Sequence, residues 1–216
     1  RSANVTLRQT LELYTGWRPV MSLPGVASRY ENVDVVILRE NTQGLYSGIE
    51  HEVTPGTIVT LKVSSLDAAE RIGRRAFDHG QTAGRRKSSL CHEAVTLDDV
   101  TMGLAHDPSR FDVILLQNLY GDIISDLCAG LVGGLGVVPG ANVGDRFAVF
   151  EAVHGTAPDI AGKGVANPLA VLLSGCLMMD YIGERAVGQR VRDAVVTVLR
   201  AGKTLTRDLG GTANTA

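Results

Sequence analysis

Across the first seventeen residues, RSANVTLRQTLELYTGW, apolar side chains recur at Val5, Leu7, Leu11 and Leu13 with polar residues between them. That spacing predicts an amphipathic helix with Ser2 or Asn4 as its cap. The pattern then changes. VDVVILRENT is a continuous β-branched run of the kind buried in a mostly parallel sheet, and it breaks at Asn41, where the chain turns. TPGTIVTLKVSS sets Pro55 and Gly56 between two strand-like stretches and reads as a hairpin or projecting arm. SLDAAERIGRRAFDHGQTAG returns to helical spacing behind a cap at Ser65 and Asp67. FDVILLQNLYGDIISDLCAGLVGGLG repeats the alternation, with a buried strand over 111–117, a tight turn and a helix. RFAVFEAVHG gives another strand that ends in a loop rich in glycine and proline, and two helices follow, over about 168–183 and 184–201. The pattern is α/β throughout, without repeats.

Composition narrows this picture only slightly. With 216 residues, 44% hydrophobic and 20% charged, the chain can bury a real core as one large domain or two small ones. Its formal net charge of −2, from 21 basic against 23 acidic residues, gives no electrostatic reason to expect a nucleic acid or an anionic membrane as partner. PLAVLLSGCLMM, the longest apolar candidate, is short for a membrane span. Cys91, Cys128 and Cys176 are odd in number, and the last two lie inside apolar helical patterns, so reduced packing thiols are expected. With no leader motif in view, the expected compartment is a bacterial cytoplasm, with a mitochondrial matrix as the alternative.

Three groups of residues carry candidate chemistry. Asp122 and Asp126 stand four residues apart just beyond a buried strand, so both carboxylates project from one helical face. Helix capping by Asp122 is the plainer account of that spacing alone. A hard cation is the other, because it turns repulsion between two carboxylates into binding. Arg8, Arg18 and Arg39 lie at element ends; singly each reads as a surface or salt-bridge residue, and together they suit a substrate with several carboxylates. HGTAPDIAGKGVAN, residues 154–167, is a loop through which backbone could approach a ligand closely. Neither a GxGxxG fingerprint nor a GxxxxGK[ST] loop occurs.

Together RSANVTLRQTLELYTGWRP, SLPGVASRYENVDVVILRENTQGLYSGIEHE, NLYGDIISDLCAGLVGGLG, AVFEAVHGTAPDIAGKGVANP and DLGGTANT resemble the β-decarboxylating dehydrogenases over almost the whole chain. Among these the resemblance points to the NAD-linked members that act on isocitrate. It implies an α/β/α two-domain fold, incomplete at its N-terminus, with 1–13 and 132–216 in a larger cofactor-binding domain. Residues 14–131 would form a smaller dimerisation domain with an arm near 44–62. Ser2 and Asn4 would hold the distal carboxylate of isocitrate, and Arg8, Arg18 and Arg39 the others. Tyr46 would be the catalytic proton donor to the enol formed after loss of CO₂.

The same resemblance implies that Asp122 and Asp126 bind Mg²⁺ or Mn²⁺, with Asp98 lent across a dimer interface, so a homodimer or higher homo-oligomer is expected. His154, Gly155, Thr156, Ala157, Asp159, Ile160 and Asn167 would bind NAD, where Asp159 repels the 2′-phosphate that NADP would bring. The implied reaction is metal-dependent oxidative decarboxylation of isocitrate to 2-oxoglutarate. Homoisocitrate or 3-isopropylmalate is the sibling alternative, and a non-catalytic regulatory subunit or truncated inactive relative is a second one. One departure matters most. Between the basic turn and Asp98 relatives carry a further segment with a His-Lys-Ala-Asn motif, whose lysine accepts the hydroxyl proton of the substrate. None of Lys62, Lys87, Lys163 and Lys203 matches it.

Overall fold

The computed structural model describes residues 3–82, 85 and 93–215. Helix α1 (Ala3–Thr10) is shorter than its sequence pattern predicts. The chain reverses through Glu12, whose φ is 52°, and enters strand β1 (Thr15–Met21). The physical reason lies in TGWRPVM, where Gly16 and Pro19 are poor helix residues while Thr15, Trp17 and Val20 suit a strand. Leu13, which shares the helical spacing, is fully buried on the way into that strand.

The main sheet has the order β5-β2-β1-β6-β7, with β2 at Asp34–Glu40, β5 at Val113–Leu116, β6 at Pro139–Val143 and β7 at Ala148–Ala152. Only β2 and β5 run parallel, and β1–β2, β1–β6 and β6–β7 are antiparallel. The mostly parallel sheet expected from the β2 pattern is therefore corrected to a mixed one. Connections explain it. Residues 22–33 and 144–147 return the chain without a helix, whereas β2 reaches β5 through α2 (Leu66–Thr82) and α3 (Leu97–His106), long enough for a parallel crossover.

Every residue of β2 beyond Asp34 is buried because helices cover both faces. Val35 and Ile37 join Val20, Ile124, Cys128, Ala129, Val100 and Leu104 in a core beneath α4 (Asn118–Leu131) and α3. Arg39, two residues on, points the same way and meets α4. Glu40 faces the other side, where α2 packs and Arg71 lies 4.0 Å from its carboxylate. At the far edge α5 (Leu169–Tyr181) packs on β6, β7 and α6 (Arg185–Ala201). The sheet continues across the domain boundary expected near residue 131, since β6 pairs with β1.

The arm is present as the hairpin of β3 (Glu50–Thr54) and β4 (Thr57–Thr60), exposed along its length, with Gly56 at φ 79° in its turn. Cys128 and Cys176 are free and buried, as their apolar surroundings predicted, and Cys91 lies outside the described residues. Among the described residues, no helix is long and apolar enough to cross a membrane.

Candidate functional site

Elements distant in sequence converge on a cleft of about 260 Å³ between α1, the middle of β1, the end of β2, the loop after β2, α4 and β7. Asn4, Arg8, Arg18, Arg39, Tyr46 and Asp122 all line it, together with Asn41, Asn118, Glu151 and His154. Three guanidinium groups, from Arg8, Arg18 and Arg39, face two carboxylates, from Asp122 and Glu151, so the cleft carries an excess positive charge. The arginines differ in how they are compensated. Arg8 Nη2 lies 3.2 Å from Glu151 Oε1. Arg39 is 4% exposed; its Nη1 pairs with Asp122 Oδ1, while Nε and Nη2 donate to Asn118 Oδ1 at 2.9 and 2.8 Å.

Arg18 has no such acid among the described residues. At 2% exposure it donates to the carbonyls of Ala141 (2.9 Å) and Trp17 (3.2 Å) and to Asn142 Oδ1 (3.4 Å), and its Nε has no partner among the described residues. Burial, reinforced by Arg8 and Arg39, pushes its pKa down to about 10, so it remains charged at neutral pH. A buried cation with only neutral acceptors is costly unless an anion completes it. Arg8 Nε and Asn41 Oδ1, on two further lining residues, are also buried without partners among the described residues.

Asp122 does not cap its helix. Gln117 is the N-cap of α4, and no acid lies in the first turn. Instead, Asp122 sits one turn in, between Arg39 and the hydroxyl of Tyr46, which donates to Asp122 Oδ2 at 3.2 Å. Burial and the neighbouring Asp122 raise the phenol pKa of Tyr46 and so favour its protonated form. Asp126 follows on the same face, and partial burial beside Asp122 raises its carboxyl pKa. These two are hard oxygen donors one helical turn apart, a pair that fits part of a Mg²⁺ or Mn²⁺ shell. Asp98 lies elsewhere, exposed in the first turn of α3, and no group of three His, Cys, Asp or Glu that could hold a metal occurs among the described residues.

The loop over 154–167 begins at the cleft with His154 and is otherwise largely exposed. Ala157 has φ 42°, and Gly162 and Gly164 are also at positive φ, so the loop turns tightly and two of its turns carry no side chain. Asp159 is exposed. Asn167 has structural partners: its Oδ1 accepts from Leu169 N at 3.0 Å, and its Nδ2 donates to Asp208 at 2.8 Å. Ser2 lies outside the described residues. Asn118 and Glu151 join the cleft as residues not expected from sequence, although both lie inside the motifs NLYGD and AVFEAVHG, and Asn142 joins its floor with no local signal at all. Asn142 accepts from Asn41 Nδ2 (2.9 Å) and Arg18, and donates to Glu151 (2.7 Å), joining the cleft floor into one network.

This arrangement defines a class: an α/β protein with a positively charged cleft beside a carboxylate pair and an exposed glycine-containing loop. The chain belongs to the isocitrate/isopropylmalate dehydrogenase family, whose model matches residues 1–97 and 87–216. It is 43% identical over 244 positions to the mitochondrial NAD isocitrate dehydrogenase catalytic subunit 6 of Arabidopsis thaliana, covering 100% of this chain and 65% of that protein. A regulatory subunit of the mitochondrial NAD isocitrate dehydrogenase of Dictyostelium discoideum is 42% identical over 98% of this chain and 68% of its own length. Among solved structures, isocitrate dehydrogenase from Methylococcus capsulatus superposes with a TM-score of 0.95 at 38% identity, covering 100% of this chain and 74% of that one.

The chain thus spans about two thirds of the length of the curated relatives it matches. Its fold is the one expected from the resemblance. The family match also breaks internally: 244 aligned positions against 216 residues leave 28 positions of the Arabidopsis protein without a counterpart, and the two family-model matches meet at 87–97.

Proposed function

We propose that the chain is the substrate-binding part of an NAD-dependent isocitrate dehydrogenase subunit, and that the whole protein carries out metal-dependent oxidative decarboxylation of isocitrate. One observation carries this reading: Arg18, a buried cation without a carboxylate partner, opens on a cleft it shares with Arg8 and Arg39. A tricarboxylate supplies the missing charge, each planar guanidinium matching a carboxylate fork. Asn4 in the cleft lining favours isocitrate over isopropylmalate, whose apolar branch would leave that amide unpaired.

Each residue has a distinct task in the proposed reaction. Arg8, Arg18 and Arg39 bind and orient the carboxylates, and Asn118 fixes the Arg39 fork. Asp122 and Asp126 would hold Mg²⁺ or Mn²⁺, which when bound supplies Lewis-acid polarisation of the substrate hydroxyl and stabilises charge on its oxygen during loss of CO₂. Tyr46 keeps its proton at neutral pH, as a donor to the enol must. The loop over 154–167 would receive NAD, with the Asp159 carboxylate available to a ribose hydroxyl.

Asp98 would complete the metal shell only from a second copy or a related chain. Several relatives are named as subunits, which supports assembly with like or related chains rather than a homodimer alone. We further assign 1–13 and 132–216 to the larger domain and 14–131 to the smaller one. The curated relatives named above are mitochondrial, so the matrix replaces the bacterial cytoplasm as the proposed compartment.

A second reading, a regulatory subunit that binds isocitrate without converting it, is favoured by the internal break at 87–97, where the resemblance calls for the lysine base, and by the Dictyostelium relative. Titrating the purified chain with isocitrate and Mn²⁺ in a calorimeter, alongside NADH formation with NAD present, separates the two. Binding with NADH formation supports the dehydrogenase. Binding alone favours the regulatory reading, and the absence of binding overturns both.

A further inference from the structure

We propose that Gln43 is a positioning residue that anchors the substrate-binding and proton-donating groups of the cleft to the root of the β3–β4 arm and to α2. This rests on the isocitrate reading above and goes beyond it by assigning a task to a residue outside the cleft lining.

The cleft groups form a closed ring. Arg39 donates to Asn118 Oδ1, and Asn118 Nδ2 donates to the carbonyl of Gln43 at 2.7 Å. The chain then runs three residues to Tyr46, whose hydroxyl reaches Asp122, which pairs with Arg39 and closes the ring. Gln43 is the point at which this ring meets the scaffold. Its backbone N–H donates to Glu40 Oε2 at 2.8 Å, and the same carboxylate accepts from the N–H of Thr42 at 3.0 Å and from its hydroxyl, pinning the turn after β2.

The side chain makes the outward connection. Gln43 Oε1 accepts from Ser65 N, and Gln43 Nε2 donates to Ser65 Oγ, both at 2.8 Å. Ser65 Oγ in turn accepts from Ala68 N at 3.3 Å at the start of α2. The adjacent Gly44 and Val63 bridge the neck of the arm, with Gly44 N to Val63 O at 2.8 Å. Gly44 also abuts Asn118: a Cβ at Gly44 would stand 3.2 Å from Asn118 Cβ, and its φ of 89° excludes most other residues. Arm, helix and ring therefore meet within two residues.

These bonds lie at the surface, so truncating the side chain leaves the core untouched while freeing the loop that carries Tyr46. Gln43→Ala, Gln43→Glu and Ser65→Ala test the proposal, because glutamate keeps the acceptor for Ser65 N–H and can accept from the Ser65 hydroxyl where the glutamine amide donated to it. In Gln43→Ala the melting temperature should move by less than about 4 °C. Its isocitrate affinity should fall about tenfold, and the ¹³C resonance of a labelled Tyr46 ring should shift and sharpen as the ring gains mobility. Ser65→Ala should reproduce the change in part, and Gln43→Glu should return both readouts to within about twofold of the parent.

An unchanged Tyr46 resonance in Gln43→Ala, or failure of Gln43→Glu to restore it, overturns the proposal. If the parent chain binds no isocitrate, the functional reading fails, and the Tyr46 resonance alone still decides the role of Gln43.

Discussion

The cleft and the loop over 154–167 are built on opposite plans. The cleft takes its groups from α1, β1, β2, the loop after β2, α4 and β7, and fixes them through buried and part-buried side-chain bonds among Arg18, Arg39, Asn118, Asn142 and Glu151. The loop is one contiguous stretch. It is tethered near its C-terminal end, where Asn167 holds Leu169 and Asp208, and where Thr215 donates to the carbonyls of Gly164 and Ala166 at 2.8 and 2.7 Å, while most of its side chains stay exposed. A charged polycarboxylate calls for cations preorganised before it arrives, since orienting buried charges afterwards would cost binding energy. A ligand approached by backbone needs an open surface. The cleft is therefore sensitive to single side chains, and the loop to its tether.

The largest effect should come from Arg18. Replacing it with methionine removes a buried charge that has no acid partner, so stability measured by denaturant melting should hold or rise. Isocitrate affinity should drop about 100-fold by calorimetry, the equivalent of a charge-assisted hydrogen bond of some 2.7 kcal/mol. A parent-like affinity would show that the cleft does not use its least compensated cation.

Asp122→Asn should abolish Mn²⁺ binding detected by electron paramagnetic resonance. It should also cost about 1 kcal/mol of stability, because Arg39 loses its charged partner while Asp122 itself is 42% exposed. The fold should survive. On the loop, Asn167→Ala removes the bond to the first residue of α5 and should cost about 1 kcal/mol by thermal unfolding, with isocitrate affinity unchanged. A loss of isocitrate binding there would erase the distinction between the two regions.

The smallest effect lies on the opposite face of the sheet, where the ring of His79 meets Trp17 edge-on at 5.3 Å. Burial, reinforced by Arg85, lowers the pKa of His79 below its ordinary 6.5, with Asp112 opposing and Arg75 assisting. The unfolded chain then binds a proton that the folded one refuses, so stability should decline as pH falls below 6.5 and stop declining once the folded histidine also protonates. His79→Gln should flatten that slope in denaturant melts compared at about pH 7.5 and 5.5. Cleft affinity should not follow it.

Much of this was legible in the chain. β2, the arm, α2, the β5–α4 unit and the last two helices follow from local period and turn residues, and the motifs named Tyr46, Asp122 and the arginines. Strand β1 was not legible, because Val5, Leu7, Leu11 and Leu13 carry a helical spacing into a segment that Gly16 and Pro19 turn into a strand. Nor was sheet direction: a buried run reads the same in parallel and antiparallel pairing, and only the connections decide.

Sequence by itself determined which residue types are available: three guanidinium groups, two carboxylates one helical turn apart, a tyrosine and a bare loop. Tertiary structure alone decided that Arg8 and Arg39 already have acids while Arg18 does not, and that Asp122 pairs with Arg39 and Tyr46 rather than capping α4. It likewise joined Gln43 to the cleft through Asn118 and to α2 through Ser65. Local spacing fixes which face of a helix or strand a side chain occupies, but charge compensation depends on partners up to 143 residues apart, as Arg8 and Glu151 are, and only the packed sheet brings them within hydrogen-bond reach.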